Sequence, residues 1–109
     1  MPSELDHDQF AETLRRRVLE GPGETDPSLR RSVAARAAGG PPIEAPYDDL
    51  TRQISEAAYR TTDAQVAAVR EAAGSEKGAF ELIATAAMAA GLFRWRQALN
   101  ALEQADASA

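Results

Sequence analysis

The stretch from Leu82 to Phe93 constrains this chain more than any other feature of its sequence. Its twelve residues carry no charge, and Thr85 is the only polar side chain among them. The run lies inside a predicted helix, and a helix that is apolar on every side is stable only where it is enclosed. A chain of 109 residues offers few neighbours for that purpose. The sequence therefore predicts that this helix is central, lies at a subunit interface, or both.

The composition favours assembly over a self-sufficient core. Alanine supplies 24 of the 109 residues, whereas Phe, Tyr, Trp and Met together supply eight. Alanine promotes helix formation but buries little apolar area. We therefore expect a thin monomer core that gains from burial against other protein surface. The predicted partner is a second copy of the chain or a helical partner subunit.

Several classes of function are disfavoured by composition. The absence of cysteine excludes thiol chemistry and thiolate metal sites, and the net charge of −5 argues against nucleic acid as the main partner. A run of twelve apolar residues is too short to cross a bilayer, so we expect no membrane partner and a cytoplasmic location. The only histidine, His7, is predicted to be a solvated residue near the terminus. No cofactor or metal motif is present, and the identity of any small-molecule ligand is unknown from the sequence.

Helix-capping signals are frequent and strand signals are nearly absent, which predicts an all-α fold of about five helices. Thr62 to Gln65 form a capping box, and Gly74 is a natural C-terminal cap. We expect a single domain over residues 1–109, with an N-terminal helix pair (1–38), a Gly/Pro linker (39–46) and a three-helix unit (47–105). The predicted helices run from Glu4 or His7 to Glu20, from Ser28 to about Ala38, from Pro46 to about Arg60, from Asp63 to Ala73, and from Glu76 to about Ala105.

The C-terminal half of the chain carries a family resemblance. It contains, in order, the segments LTRQISEAAYR, TTDAQVAAVREAAG and SEKGAFELIATAAMAAGLFRWRQALNAL. From about Pro46 to Leu102 this pattern resembles the alkylhydroperoxidase D-like (carboxymuconolactone decarboxylase-like) family. Glu81 would match the family's Glu near the start of the long helix, and Arg94 the Arg near its end. The resemblance implies an all-helical domain with a long alanine-rich central helix, which oligomerises through its long helices, commonly as a trimer or a dimer of trimers.

The chain departs from that family at its redox centre. The peroxidase members carry a Glu-x-x-Cys-x-x-Cys-x-x-x-His helix, whereas the corresponding region here, RRRVLEGPGETDPSLRRSVAARAAGG, has neither Cys nor His. None of the family's redox residues can be transferred. The resemblance then implies either a degenerate, non-catalytic member or an enzyme of the decarboxylase type. In such an enzyme Glu81 would act as acid/base and Arg94 as a carboxylate clamp, although the two point to different sides of one helix.

One stripe of the long helix supplies further candidate residues. Glu81, Thr85, Met88, Leu92 and Trp95 recur at spacings of four and three, which places them on one face. Their functional interpretation is a pocket wall in which Glu81 is partly buried with a raised pKa. Their structural interpretation, which we favour, is a core stripe headed by an exposed acid. Phe93 and Arg96 are added as pocket or interface residues beside this stripe. Arg94 and Arg96 are expected to pair with an acid such as Asp48, Asp49 or Glu56, or to stack on an aromatic ring, and less readily to bind an anion.

Three functions remain open on sequence grounds. The first is a non-catalytic helical protein that acts through oligomer or partner-subunit assembly. The second is a cofactor-free small-molecule enzyme of the carboxymuconolactone decarboxylase type. The third is a regulatory module that binds a small ligand without catalysis.

Overall fold

The computed structural model describes residues 3–108, with side-chain positions from residue 7 to residue 107. Within that range the chain is all-α and contains no strand, which confirms the predicted fold class. The helices are α1 (Ser3–Glu20), α2 (Pro27–Ala37), α3 (Tyr47–Ala57) with a 3₁₀ turn at Ala58–Arg60, α4 (Asp63–Ala73) and α5 (Glu76–Ser108).

The ends of helix α4 form as the sequence predicts. The Thr62 hydroxyl accepts the backbone N–H of Gln65 at 3.2 Å, and the Gln65 side chain accepts the N–H of Thr62 at 2.9 Å. Gly74 ends the helix with φ of +87°, a left-handed conformation that suits glycine. Ser75 then accepts the N–H of Gly78 and so caps the start of α5. These local signals fix where α4 ends and α5 begins.

Helix α5 is the axis of the fold. All four other helices pack against it. Its 33 residues span about 50 Å at the normal helical rise, which is nearly the 51 Å long dimension of the molecule. The radius of gyration, 15.4 Å, exceeds the roughly 13 Å expected for a compact domain of this length. The C-terminal part of α5 therefore extends beyond the body formed by the other helices.

The Gly/Pro segment between α2 and α3 is held in place by side chains. The Arg36 guanidinium contacts the Asp48 carboxylate at 2.8 Å, and that carboxylate also accepts the backbone N–H of Ile43 at 3.0 Å. The Ile43 N–H and the Arg36 charge together outweigh partial burial and lower the pKa of Asp48. Helix α2 packs directly on both α3 and α5. The predicted N-terminal helix pair and three-helix unit thus share one core.

That core is rich in alanine, and helix α1 contributes little to it. Phe10, Leu14 and Val18 recur every four residues and form an apolar stripe on α1. This stripe is not the buried face of the helix, because Phe10 and Leu14 are 74% and 41% exposed. Among the described residues of α1 only Leu19 is fully buried. The twelve apolar core residues include six alanines and comprise Leu19, Val33, Ala34, Ala37, Leu50, Ile54, Val69, Ala79, Leu82, Ala86, Ala89 and Ala90.

Replacing Leu50 by alanine tests this assignment of the core. Leu50 is 3% exposed, so Leu50→Ala should lower the free energy of unfolding by about 2–5 kcal/mol, because it leaves a cavity between α3 and α5. Urea denaturation measures the change. Tyr59→Ala is the control, since Tyr59 is 89% exposed and its loss should change stability by about 0.5 kcal/mol or less. Equal losses in the two variants would contradict the packing described.

Candidate interaction surface on helix α5

The carboxylate of Glu81 is bound by the loop that joins α1 to α2. It accepts the backbone N–H of Glu24 and the N–H of Thr25, each at 2.9 Å, and the Thr25 hydroxyl at 2.7 Å. Gly23 makes this approach possible, because a Cβ at that position would lie 2.7 Å from a Glu81 oxygen. The Ser75 hydroxyl in turn donates to the Glu24 carboxylate. Glu81 therefore fastens the loop to the first turns of α5.

This environment lowers the pKa of Glu81, whereas the proton-transfer role would require a raised pKa. Burial raises the pKa of Glu81, but the N–H groups of Glu24 and Thr25, the Thr25 hydroxyl and the charge of Arg30 outweigh it. The net effect lowers the pKa from 4.5 to about 2. The raised pKa considered for a pocket-wall Glu81 is wrong. The carboxylate stays ionised near neutral pH, and its acceptor positions are occupied by structural donors.

Arg94 is remote from Glu81 and bonds to the backbone. The two residues are separated by about 20 Å along the helix axis. The Arg94 guanidinium donates to the carbonyl oxygen of Ser55 at the end of α3. The carboxylates considered as its partners are used by other arginines: Asp48 pairs with Arg36, and both Asp49 and Glu56 pair with Arg52. The structure does not bring Glu81 and Arg94 together in one site.

The stripe that begins at Glu81 is where helix α1 lies. The loop after α1 contacts Glu81, and near the start of α1 the His7 ring meets the edge of Trp95 with centroids 6.5 Å apart. Helix α1 therefore runs antiparallel along this side of α5. Thr85 is fully buried and donates to the Glu81 carbonyl at 2.7 Å, and Met88 packs against the core. Thr85 and Met88 thus pack as the structural interpretation of the stripe predicts. Glu81, however, is half-buried rather than exposed, and Trp95 lies at the border between this stripe and the exposed side of α5.

Three of the predicted pocket residues do share a groove. It encloses about 220 Å³ between α1, α2 and α5. Its lining consists of small and apolar side chains with two arginines, namely Arg15, Ala34, Ala35, Ala38, Ala89, Leu92, Phe93 and Arg96. Arg94 lines a different groove next to α3, which Phe93 also borders. Among the described residues no cluster of three or more His, Asp or Glu side chains is placed to hold a metal ion.

The side of α5 that faces away from the core is apolar along most of the helix. We call this side the outer face. Its members recur at spacings of four and three residues, so they form one continuous stripe. They are Phe80, Ala84, Ala87, Gly91, Trp95, Ala98 and Leu102.

The outer face is largely uncovered. Phe80 and Leu102 are 69% and 63% exposed, and Trp95 is 36% exposed. Between them Ala87 and Gly91 are exposed and Ala84 is half-buried. A Cβ added at Gly91 would meet no atom within 4 Å. Apolar stripes of this extent on a protein surface commonly mark interaction sites.

The sequence did not indicate the hydrogen-bond partners of Glu81, nor which side of α5 forms the outer face. Glu24, Thr25 and the buried Arg30 are more than fifty residues from Glu81 along the chain, so no local spacing points to them. The turn Gly21-Pro22-Gly23 is the one local signal, since a glycine there permits a close approach of the backbone. The outer face gave no signal, because residues 82–93 are apolar on both sides of the helix.

Comparisons with known proteins identify no relative. No protein-family model matches the chain, and searches of curated proteins and of solved structures found no significant match. Within the described residues, no helix combines the length and apolar character needed to cross a membrane.

Neutralising Glu81 should loosen the α1–α2 loop in a pH-dependent way. Glu81→Gln replaces one acceptor oxygen by an NH₂ group that opposes the loop's donors, so stability at pH 7 should fall by about 1–3 kcal/mol. Glu71→Gln, an exposed glutamate on α4, is the control and should change little.

The pH profile gives the sign of the effect. Because the folded pKa of Glu81 is depressed, its stabilisation is present above pH 4.5 and is lost as the pH falls towards about 2. The stability difference between wild type and Glu81→Gln should therefore shrink over that interval in acid denaturation experiments. A difference that stays constant from pH 7 to pH 2 would argue against the described hydrogen bonds.

Proposed function

We propose that this chain is a non-catalytic helical protein that acts by assembly, docking the outer face of α5 onto another helical surface. The observation that carries the proposal is the uncovered apolar stripe from Phe80 to Leu102. The exposed aromatic side chains Phe80 and Trp95 flank three small outer positions, and Leu102 ends the stripe. Covering it would remove apolar surface from water, which is the main favourable term in most protein associations.

The chemistry of the candidate catalytic residues also favours a non-catalytic role. Glu81 has a lowered pKa and accepts three hydrogen bonds from the α1–α2 loop, and Arg94 is engaged by a backbone carbonyl. An acid/base enzyme of the decarboxylase type would need a free carboxyl group titrating near the working pH. A ligand-binding module would use the groove lined by Arg15 and Arg96, but nothing in its lining selects a particular ligand.

The kinship with the alkylhydroperoxidase D-like group stays a prediction. The all-helical fold with a long alanine-rich helix is compatible with it. We propose that, if related, this chain is a degenerate member that has kept the use of long helices for assembly without the redox centre. Its function would then lie in the assembly itself.

A charge on the outer face should abolish assembly without disturbing the fold. Ala87 is exposed in the single chain, so Ala87→Glu should leave helicity and thermal unfolding of the monomer intact, while a buried carboxylate would oppose docking. Light scattering after size exclusion, together with co-purification from the native host, reports the assembly state. Ala72→Glu places the same charge on an exposed alanine of α4 and should have no effect.

The proposal has a definite negative outcome. Two results together would overturn it. The wild-type chain would be monomeric at tens of micromolar, and it would co-purify with no partner whose binding is abolished by Ala87→Glu.

A further inference from the structure

We infer that a second copy of this chain covers the outer face, with the two α5 helices packed antiparallel about a two-fold axis that crosses the outer face at the level of residue 89. Ala89 itself lies on the opposite, core side of α5. This inference rests on the proposed function and adds to it the occupant and the orientation. It follows from how large and small side chains are distributed along the stripe.

The stripe is self-complementary when one copy is reversed. Phe80 lies nine residues before Ala89 and Ala98 lies nine residues after it. A two-fold axis at the level of residue 89 therefore places Phe80 over the partner subunit's Ala98. Both residues lie in the middle of the outer face, since eighteen residues correspond to five full helical turns. The exposed Phe80 ring would enter the space left by an alanine.

The other members of the stripe pair in the same way. The axis brings Trp95 beside the partner subunit's Ala84, on the same side of the contact. Ala87 meets the partner subunit's Gly91 at the centre, where both side chains are small enough for a close approach of the helices. Phe80 and Trp95 thus each face a small side chain in both halves, as an isologous dimer requires. Leu102 is the exception, because its level corresponds to the partner subunit's Glu76, which lies outside the outer face.

A parallel in-register pair would fit much less well. Phe80 would meet its own counterpart, and so would Trp95, so bulky layers would hold the two helices apart. The small residues between them, Ala84, Ala87 and Gly91, would then face an empty gap. Protein interfaces are packed as densely as interiors, and such a gap forfeits dispersion contacts.

The size of the paired part suits a weak pair of copies. From Phe80 to Ala98 the helix rises about 27 Å. At the usual width of a helix contact this corresponds to roughly 400 Å² per copy and roughly 800 Å² in the pair, which is the size of a weak, transient contact. A single helix from each copy is therefore enough for a reversible dimer.

A distance between labels decides the orientation. The chain contains no cysteine, so Ala105→Cys offers one site for a nitroxide label near the exposed end of α5. With the axis at the level of residue 89 the two labels should be about 48 Å apart along the helix direction. A parallel pair would bring them to about 10 Å, the distance between packed helices, and would let the unlabelled variant form a disulfide-linked dimer.

The outcomes separate this inference from the proposed function. A dimer with labels about 48 Å apart supports both. A dimer with labels about 10 Å apart, or a higher oligomer, overturns the antiparallel pairing but leaves assembly standing. If the chain does not self-associate but binds a different protein, and Ala87→Glu abolishes that binding, the self-pairing is overturned and assembly through the outer face stands. A monomer without any partner overturns both.

Filling the centre of the stripe provides an independent check. Gly91→Leu removes a poor helix former at a position where an added Cβ meets no atom within 4 Å, so helicity should be preserved or increased. In the pair the added side chain would collide with the partner helix and raise the dimer dissociation constant by roughly tenfold or more. Asn100→Leu adds the same side chain on the opposite side of α5 and should not. Unchanged dissociation in Gly91→Leu would contradict close packing at Gly91.

Discussion

One helix with two apolar faces is the constraint on which the rest of the structure depends. Helices α1 to α4 supply enough surface to enclose one side of α5, where Leu82, Ala86 and Ala89 lie in the core. They leave the other side to solvent. The chain folds because the enclosed side holds a core together, and it associates, in our account, because the second side would otherwise expose apolar surface to water.

The hydrogen bonds between Glu81 and the α1–α2 loop determine which side of α5 is covered by helix α1. The Glu81 carboxylate collects three donors from the loop after α1, so the end of α1 is fixed near the start of α5. From there α1 runs back along α5 until its first turns reach Trp95. The acid that looked most suited to catalysis thus performs a structural task. Its charge is retained because many donors, rather than one partner, stabilise it.

The sequence predicts the helices well because their boundaries are set locally. The Thr62–Gln65 capping box and the Gly74 cap are readable without knowledge of the fold, and both form as expected. The Phe10, Leu14 and Val18 stripe of α1 shows the limit of that approach. Periodicity identifies an apolar stripe, but it does not show whether other helices of the chain pack against that stripe.

The candidate site could be predicted only in part, and for two physical reasons. A helix that is apolar all round has no amphipathic phase, so the sequence cannot indicate which of its sides the other helices will take. The partners of Glu81 are brought to it by the fold across more than fifty residues, so the sign of its pKa shift has no local origin. The sequence did predict that Leu82–Phe93 must be enclosed. In the fold, helices α1 to α4 enclose one side of this stretch and leave the outer face uncovered.

Fluorescence of the single tryptophan tests the central claim most directly. Trp95 lies on the outer face and is 36% exposed in the single chain. As the purified protein is concentrated from nanomolar to tens of micromolar, the Trp95 emission should shift to shorter wavelength and its quenching by iodide should decrease, because a second copy excludes water from the indole. An emission maximum and a quenching constant that do not change over that range would show that no second copy covers the outer face, and would contradict the self-pairing of α5.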